Sequence, residues 1–168
     1  MTAGLYVGGR TGLGRALDVI EATVDVLRAD VVILALPRSG SVWLELLLRD
    51  ADLRATRSHG YRRWPHGTAW QLRLARLWGL PVIGLTRRHD HVLASWAAAG
   101  WTSTVPTMAD LRLWEARFLP AATYRAYYGT LESDAARICR ALGRPAPSRR
   151  YTKADVEALF PGHTSLSP

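Results

Sequence analysis

The sequence is poor in cysteine and lysine, and each shortage excludes a class of site. Cys139 is the only cysteine among 168 residues, so an internal disulfide and a cysteine-built zinc site are both excluded. Lys153 is the only lysine. No Gly-Lys dipeptide occurs, so the phosphate-binding motif Gly-x-x-x-x-Gly-Lys-Ser/Thr is absent.

Long apolar runs are also missing. No run approaches the roughly 20 apolar residues of a membrane span. The beginning of the chain lacks the basic start and unbroken apolar stretch of a secretory signal. We therefore expect a cytoplasmic protein with no membrane partner.

Basic residues are in excess. Lysine and arginine total 22 against 14 acidic residues, which gives a net charge of +8, and all but one of the basic residues are arginines. The planar guanidinium group matches phosphate and sulfate oxygens, so the composition favours an anionic ligand. The anionic ligand could be a nucleotide or a nucleic acid. A coding bias toward arginine is an alternative explanation of the lysine deficit.

Apolar runs alternate with amphipathic stretches along the chain. The pattern predicts strands at residues 3–7, 31–36, 54–58, 80–86 and 123–128, and helices at 12–28, 41–49, 68–78, 89–98, 108–119, 133–142 and 153–159. In the first helix the apolar residues recur every three or four positions: Leu13, Leu17, Ile20, Val24 and Leu27. Strands that alternate with helices predict an α/β fold of three layers, with a mainly parallel central sheet and helices on both faces.

The length predicts a single domain over residues 1–168. Within it we distinguish a motif core at 31–143, a strand and helix at 1–30, and an arginine-rich segment with a short helix at 144–168. Ligands of parallel sheets bind beyond the carboxyl ends of the strands. The loops that follow Leu36 and Thr86 are therefore the first places to look for a site.

The first of these loops has the composition of an anion-binding turn. Gly40 allows the backbone to turn between a buried strand and a helix start. The amides of a helix N-terminus and the hydroxyls of Ser39 and Ser41 suit an anion, and Arg38 adds a cation. An ordinary strand-to-helix turn capped by Ser41 is the alternative interpretation.

Three segments resemble motifs of one enzyme family. The run Pro37-Arg38-Ser39-Gly40-Ser41-Val42-Trp43 resembles the phosphosulfate-binding loop of the sulfotransferases that use 3′-phosphoadenosine-5′-phosphosulfate (PAPS), read as Pro-Lys/Arg-Ser/Thr-Gly-Thr/Ser-Thr-Trp. Arg87 and Ser95 resemble that family's 3′-phosphate motif, and Arg57-Ser58-His59 resembles its Lys-Thr-His. A weaker similarity links Tyr128-Gly129-Thr130-Leu131 to its Tyr-Glu-Asp-Leu. The resemblance covers residues 31–143 and indicates a short, divergent member with the P-loop sulfotransferase-like fold.

The resemblance implies a role for each matched residue. The residues that would bind the phosphosulfate are Arg38, Ser39, Gly40, Ser41, Val42 and Trp43. Arg87 and Ser95 would bind the 3′-phosphate. His59 would be the catalytic base, and Arg38 would also act in catalysis by neutralising the leaving phosphate. PAPS would be the donor, its bisphosphate PAP the product, and a hydroxyl or amine of a small molecule or peptide the acceptor, without a metal.

The sequence also departs from the family. Val42 stands where a threonine is expected, and Gly129 and Thr130 replace an acidic pair. No Arg-Lys-Gly-x-x-Gly-x-Trp segment follows Gly143. In the family this segment closes over the 3′-phosphate. Here that role would be taken by another subunit of a homo-oligomer or by three basic residues, Arg149, Arg150 and Lys153.

Other readings remain open. Another P-loop nucleotide-binding transferase or kinase-like enzyme is one alternative. An arginine-rich nucleic-acid-binding domain is another, supported by Arg62-Arg63-Trp64 and Arg87-Arg88. A glycine-rich turn between Gly8 and Gly14 resembles that of short-chain dehydrogenases, but the Tyr-x-x-x-Lys pair of those enzymes is missing. Trp64 and Trp101 are the candidate acceptor contacts.

Overall fold

The computed structural model describes residues 12–58, 65–98 and 106–159. The strands are β1 (Val31–Ala35), β2 (Ala55–Ser58), β3 (Val82–Thr86) and β4 (Tyr124–Tyr127). The helices are α1 (Gly12–Leu27), α2 (Ser41–Asp50), α3 (Pro65–Leu77), α4 (His89–Ala98), α5 (Met108–Phe118), α6 (Leu131–Ala141) and α7 (Lys153–Leu159). The strand predicted at residues 3–7 lies outside the described residues.

The four strands form one parallel sheet in the order β2-β1-β3-β4. The α/β class and the parallel pairing are therefore confirmed. All five residues of β1 are buried, which explains their unbroken aliphatic sequence, because a strand covered on both faces has no polar side.

Helices cover both faces of this sheet. Alternate residues of β1 point to opposite faces, so Ile33 and Leu34 belong to two different apolar clusters. The cluster around Ile33 contains side chains from α2, α6 and α7. The cluster around Leu34 contains side chains from α1, α3, α4 and α5. Because each cluster excludes water from one face, the sheet is the central layer of three.

The described part of the apolar stripe predicted for α1 is not the side that the helix buries. Ala22 and Val26 are buried instead, and Val26 belongs to the apolar cluster around Leu34. Ile20 and Leu27, which belong to the predicted stripe, are 57% and 59% exposed. The helix therefore has two apolar sides, and the one with the larger side chains faces outward.

Two side chains of α6 hold the outer edge of β4. The Asp134 carboxylate accepts a hydrogen bond from the Tyr127 amide at 3.0 Å, and Arg137 donates to the Arg125 carbonyl at 2.7 Å. Arg137 also donates to Asp134 at 2.9 Å. Side chains thus satisfy backbone groups that an edge strand would otherwise offer to another chain.

We expect Asp134→Asn to lower the free energy of unfolding by about 1–2 kcal/mol at neutral pH, because charge-assisted hydrogen bonds from Arg137, Thr130 and the Tyr127 amide are weakened. Burial by itself raises the pKa of Asp134, but these hydrogen bonds outweigh it and hold the pKa below its ordinary value. The carboxylate therefore stabilises the fold fully above the unfolded-state pKa of about 3.9, and this stability is lost as the pH falls through the lower folded-state value.

Urea unfolding at neutral and at strongly acidic pH measures this effect. The difference between the wild type and Asp134→Asn should shrink in acid, because both side chains are then uncharged. Glu132→Gln is the control, since that side chain is 46% exposed and its ion pair with Arg150 is long, at 3.8 Å. A difference between wild type and Asp134→Asn that does not change with pH would contradict the assignment.

No helix in the described part of the chain is long and apolar enough to cross a membrane. Within the same residues, no cluster of three histidine, cysteine or acidic side chains is arranged to hold a metal ion.

Candidate functional site

The loops after β1 and β3 leave the sheet side by side at its carboxyl edge. The two strands are parallel neighbours, with Ala35 opposite Leu85. The chain turns to opposite faces from here, since α2 follows β1 on one face and α4 follows β3 on the other. Loops that part in this way leave a crevice, which is where α/β sheets bind their ligands.

The loop after β1 is a tight turn built around Ser39. This residue is fully buried, and its hydroxyl donates to the Leu36 carbonyl at 2.5 Å. Its amide donates to the same carbonyl at 3.2 Å. Arg38 and Gly40, on either side, have left-handed backbones with φ of 68° and 93°. Both donors of Ser39 thus serve the turn, and in this structure the residue shapes the loop.

The N-terminus of α2 lies at this carboxyl edge of the sheet. Gly40 is the residue that precedes the helix, and no described side chain caps this end. The Leu44 amide makes the first helical bond, to the Gly40 carbonyl at 3.1 Å. The amides of Ser41, Val42 and Trp43 come before it and have no helical partner. Val42 contributes only its amide, since its side chain lies in the core.

Two other helices differ from α2 in this respect. At α5, Asp110 accepts hydrogen bonds from the amide and hydroxyl of Thr107. At α7, Asp155 accepts the same two bonds from Thr152. In both helices a carboxylate of the protein occupies the positive end. Since α2 has none there, its N-terminal amides suit an external anion.

Side chains from the two predicted phosphate motifs meet beside this helix end. Arg87, which is 7% exposed, donates through Nη1 to the Arg38 carbonyl at 2.9 Å. Arg38 Nε lies 3.4 Å from the Ser95 hydroxyl, and Ser95 is 3% exposed. The loop after β1, the end of β3 and α4 are therefore joined by direct contacts. Arg87 braces the backbone of the loop in this arrangement.

Tyr128 belongs to the same cluster. The Arg87 guanidinium carbon lies 4.2 Å from the centre of its ring, and Trp43 packs edge-on against it with ring centres 6.5 Å apart. The ring also lies against Gly40, where a Cβ would come within 2.5 Å of Tyr128 Cδ2. Sequence analysis noted Tyr128 only in the weaker motif similarity and did not assign it to the site.

The third predicted motif is described only in part. β2 pairs with β1 so that Ser58 lies opposite Leu34, and both strands end at the carboxyl edge. Arg57 forms an ion pair with Glu45 of α2 at 2.8 Å. His59, the predicted base, lies outside the described residues. So do the two candidate acceptor contacts, Trp64 and Trp101.

Charged residues next to Arg87 are paired with one another. Arg88 contacts Asp90 at 2.7 Å, and this hydrogen bond lowers the pKa of the Asp90 carboxyl. His89 Nε2 lies 3.0 Å from Glu115, which ties α4 to α5. The one acidic side chain in the first turn of α4, Asp90, is thus directed at Arg88, and Glu115 of α5 is directed at His89.

The basic residues considered as replacements for the missing family segment have other contacts. The Arg149 amide donates to Asp50, the last residue of α2, and its guanidinium donates to Asp155. The loop after β1 lies at the opposite end of α2, about 14 Å from Asp50 along the helix axis. Arg150 contacts Glu132 at 3.8 Å, and Lys153 begins α7. The structure therefore does not bring Arg149 to the candidate site.

Comparison of the chain with protein-family models, with curated proteins and with solved structures finds no match in any of the three. The functional argument therefore rests on the residues of this chain and on their geometry.

Proposed function

We propose that the chain is a sulfotransferase that moves a sulfuryl group from PAPS to a hydroxyl or amine of a small-molecule or peptide acceptor. The observation that carries the proposal is the contact between the two motif segments, in which Arg87 reaches the Arg38 carbonyl and Arg38 reaches Ser95. These residues are 49 and 57 positions apart in the chain. Neighbouring parallel strands bring any two such loops side by side, so the support for the proposal comes from the matched residues themselves, which make the contacts between the loops.

The donor set suits the 5′ end of the donor nucleotide. The amides of Ser41, Val42 and Trp43 supply aligned N–H groups, and Arg38 adds a positive charge. No acidic residue occurs between Pro37 and Trp43, so nothing within the segment repels an anion. Such prearranged donors stabilise negative charge as it develops on a leaving phosphate.

Arg87 and Ser95 suit the 3′-phosphate. A guanidinium presents a fixed fork of donors, and a serine hydroxyl adds one more. Both side chains are buried, and Ser95 is in contact with Arg38. A bound phosphate would therefore exchange the 3.4 Å contact between Arg38 and Ser95 for contacts with its own oxygens.

The remaining requirement is a base for the acceptor. His59 follows the end of β2 in sequence, and a neutral imidazole is suited to accepting a proton near pH 7. PAPS, when bound, supplies the activated sulfuryl group. The chain holds the phosphates, and His59 takes the proton from the acceptor oxygen or nitrogen.

Calorimetry of the full chain with adenosine 3′,5′-bisphosphate and with AMP tests the proposal. We expect the bisphosphate to bind at least about 10-fold more tightly, because charge-assisted hydrogen bonds to a second phosphate are worth about 1.5–3 kcal/mol. Equal affinity for the two nucleotides would reject the 3′-phosphate site, and with it the proposed donor.

Two further titrations separate the alternatives. ATP would bind more tightly than the bisphosphate if the chain were a kinase-like enzyme. If the arginines bind nucleic acid, a short DNA duplex would bind with an affinity that falls steeply as salt is added.

A further inference from the structure

The outward stripe of α1 and the end of α3 form an apolar surface that the described part of the chain leaves exposed. Ile20, Val24 and Leu27 are 57%, 36% and 59% exposed. They follow one another at helical spacing, so they share one side of α1. At the end of α3, Leu77 is 75% exposed and Trp78 is 42% exposed. We call these five residues the α1–α3 face.

The two parts of this face lie at the same edge of the sheet. α1 packs against α3, and Trp70 Nε1 donates to the Thr23 hydroxyl at 2.9 Å. α1 leads directly into β1, and α3 leads directly into β3. Because β1 and β3 are parallel neighbours, Leu27 and Leu77 both lie where these strands begin.

The face is comparable in area to the largest apolar patch on a typical monomer. Side chains of this size, roughly half exposed, present on the order of 400 Å² of apolar surface. Patches of that size are commonly functional, and one partner in a standard interface contributes about 800 Å². The α1–α3 face would therefore supply about half of such an interface as its apolar centre.

The sequences of the two helices differ in the sign of their charged residues. α1 contains Asp18, Glu21 and Asp25 but only one arginine, although the whole chain has a net charge of +8. α3 contains Arg73 and Arg76 and no acidic residue. An acidic helix beside a basic helix is self-complementary when a two-fold axis runs between them, because that axis sets α1 of each protomer against α3 of the other.

We infer that the α1–α3 face binds a second copy of this chain, with α1 of each protomer packed on α3 of the other. The acidic residues of α1 argue against an anionic membrane, since helices that bind such surfaces carry lysine and arginine beside their apolar side. The face lies at the amino edge of the sheet and the candidate site at the carboxyl edge. The inference is therefore independent of the proposed function.

Light scattering coupled to size exclusion, over a range of protein concentrations, tests the inference. We expect the wild type to have twice the mass of the 18.6 kDa chain. Leu27→Glu and Leu77→Glu should weaken self-association by at least about 30-fold, the effect of losing a central interface side chain. Leu113→Glu is the matched control, because Leu113 is 68% exposed and belongs to α5, which is not part of the α1–α3 face.

A charge-reversal pair tests the proposed arrangement of the helices. Asp25→Arg and Arg76→Glu should each weaken the dimer, and the double variant should regain most of the loss. Circular dichroism confirms that each variant is folded. If a glutamate variant does not fold, disulfide trapping replaces it: a mixture of Leu27→Cys and Leu77→Cys chains should cross-link, and Leu113→Cys should not. Cys139 is buried and does not compete.

Three results would overturn the inference. The first is a wild type that stays monomeric at every concentration. The second is such a monomer floating with vesicles of phosphatidylcholine and phosphatidylserine, which would assign the face to a membrane. The third is a dimer that Leu113→Glu disrupts as strongly as Leu27→Glu, which would place the interface elsewhere.

Discussion

We expect Gly40→Ala to lower the free energy of unfolding by about 2–5 kcal/mol, with two causes that can be separated. Gly40 has a φ of 93°, a left-handed conformation that costs alanine about 1–2 kcal/mol. A Cβ would also come within 2.5 and 2.7 Å of Tyr128 ring atoms. Overpacking of this kind costs about 1–3 kcal/mol. Urea unfolding of the variant measures the sum.

Gly79→Ala isolates the backbone cause. Gly79 has a φ of 65°, and nothing lies within 4 Å of the position of its Cβ. This control should lose only about 1–2 kcal/mol. If Gly40→Ala and Gly79→Ala are destabilised equally, Tyr128 does not press on the loop as the structure indicates.

The double variant Gly40→Ala/Tyr128→Ala isolates the contact. Tyr128→Ala is itself destabilised, because Arg87 and Trp43 lose their contacts with the Tyr128 ring. The clash is absent in the double variant, and its loss should therefore be smaller than the sum of the two single losses. Strict additivity would show that the two residues do not interact.

Local patterns explain most of the elements predicted from the sequence. The bounds of α4 and α7 agree with the prediction, and β1 is the buried strand that its unbroken aliphatic run indicated. The start of α6 was wrong by two residues. Asp134 accepts bonds from the Tyr127 amide and the Thr130 hydroxyl, and these contacts let the helix begin at Leu131.

Long-range packing explains what the sequence did not predict. Periodicity shows which residues of α1 share a side, but not which side is buried. The small Ala22 and the fully buried Val26 lie on the buried side, and Ile20 and Leu27 face outward. A spacing rule that favours the largest apolar residues selects the wrong side of such a helix.

In the candidate site too, local patterns predict some features and long-range packing determines the others. The position of Arg87 at the end of a strand could be predicted, because the strand itself could. Its contacts with the Arg38 backbone and the Tyr128 ring depend on strand order and on the turn after β4. Neither leaves a local signal near residue 87, so the role of Arg87 as a brace emerges only from the fold.

Arg87→Ala should weaken binding of adenosine 3′,5′-bisphosphate by about 10- to 100-fold, because a charge-assisted hydrogen bond from a buried donor is lost. The affinity for AMP should fall less. AMP lacks the 3′-phosphate and feels only the loosening of the loop that Arg87 braces through the Arg38 carbonyl. Calorimetry with both nucleotides, on the same preparation, gives the ratio of the two losses.

Two variants serve as controls for Arg87→Ala. Arg88→Ala removes the same charge from the next position, where the side chain is 63% exposed and paired with Asp90, and it should change both affinities little. Arg87→Lys keeps the charge but not the fork of donors, so it should recover only part of the bisphosphate affinity. If Arg87→Ala lowers the affinities for the bisphosphate and for AMP equally, Arg87 acts only through the loop. A residue that binds the 3′-phosphate must contribute more to the binding of the bisphosphate than to that of AMP.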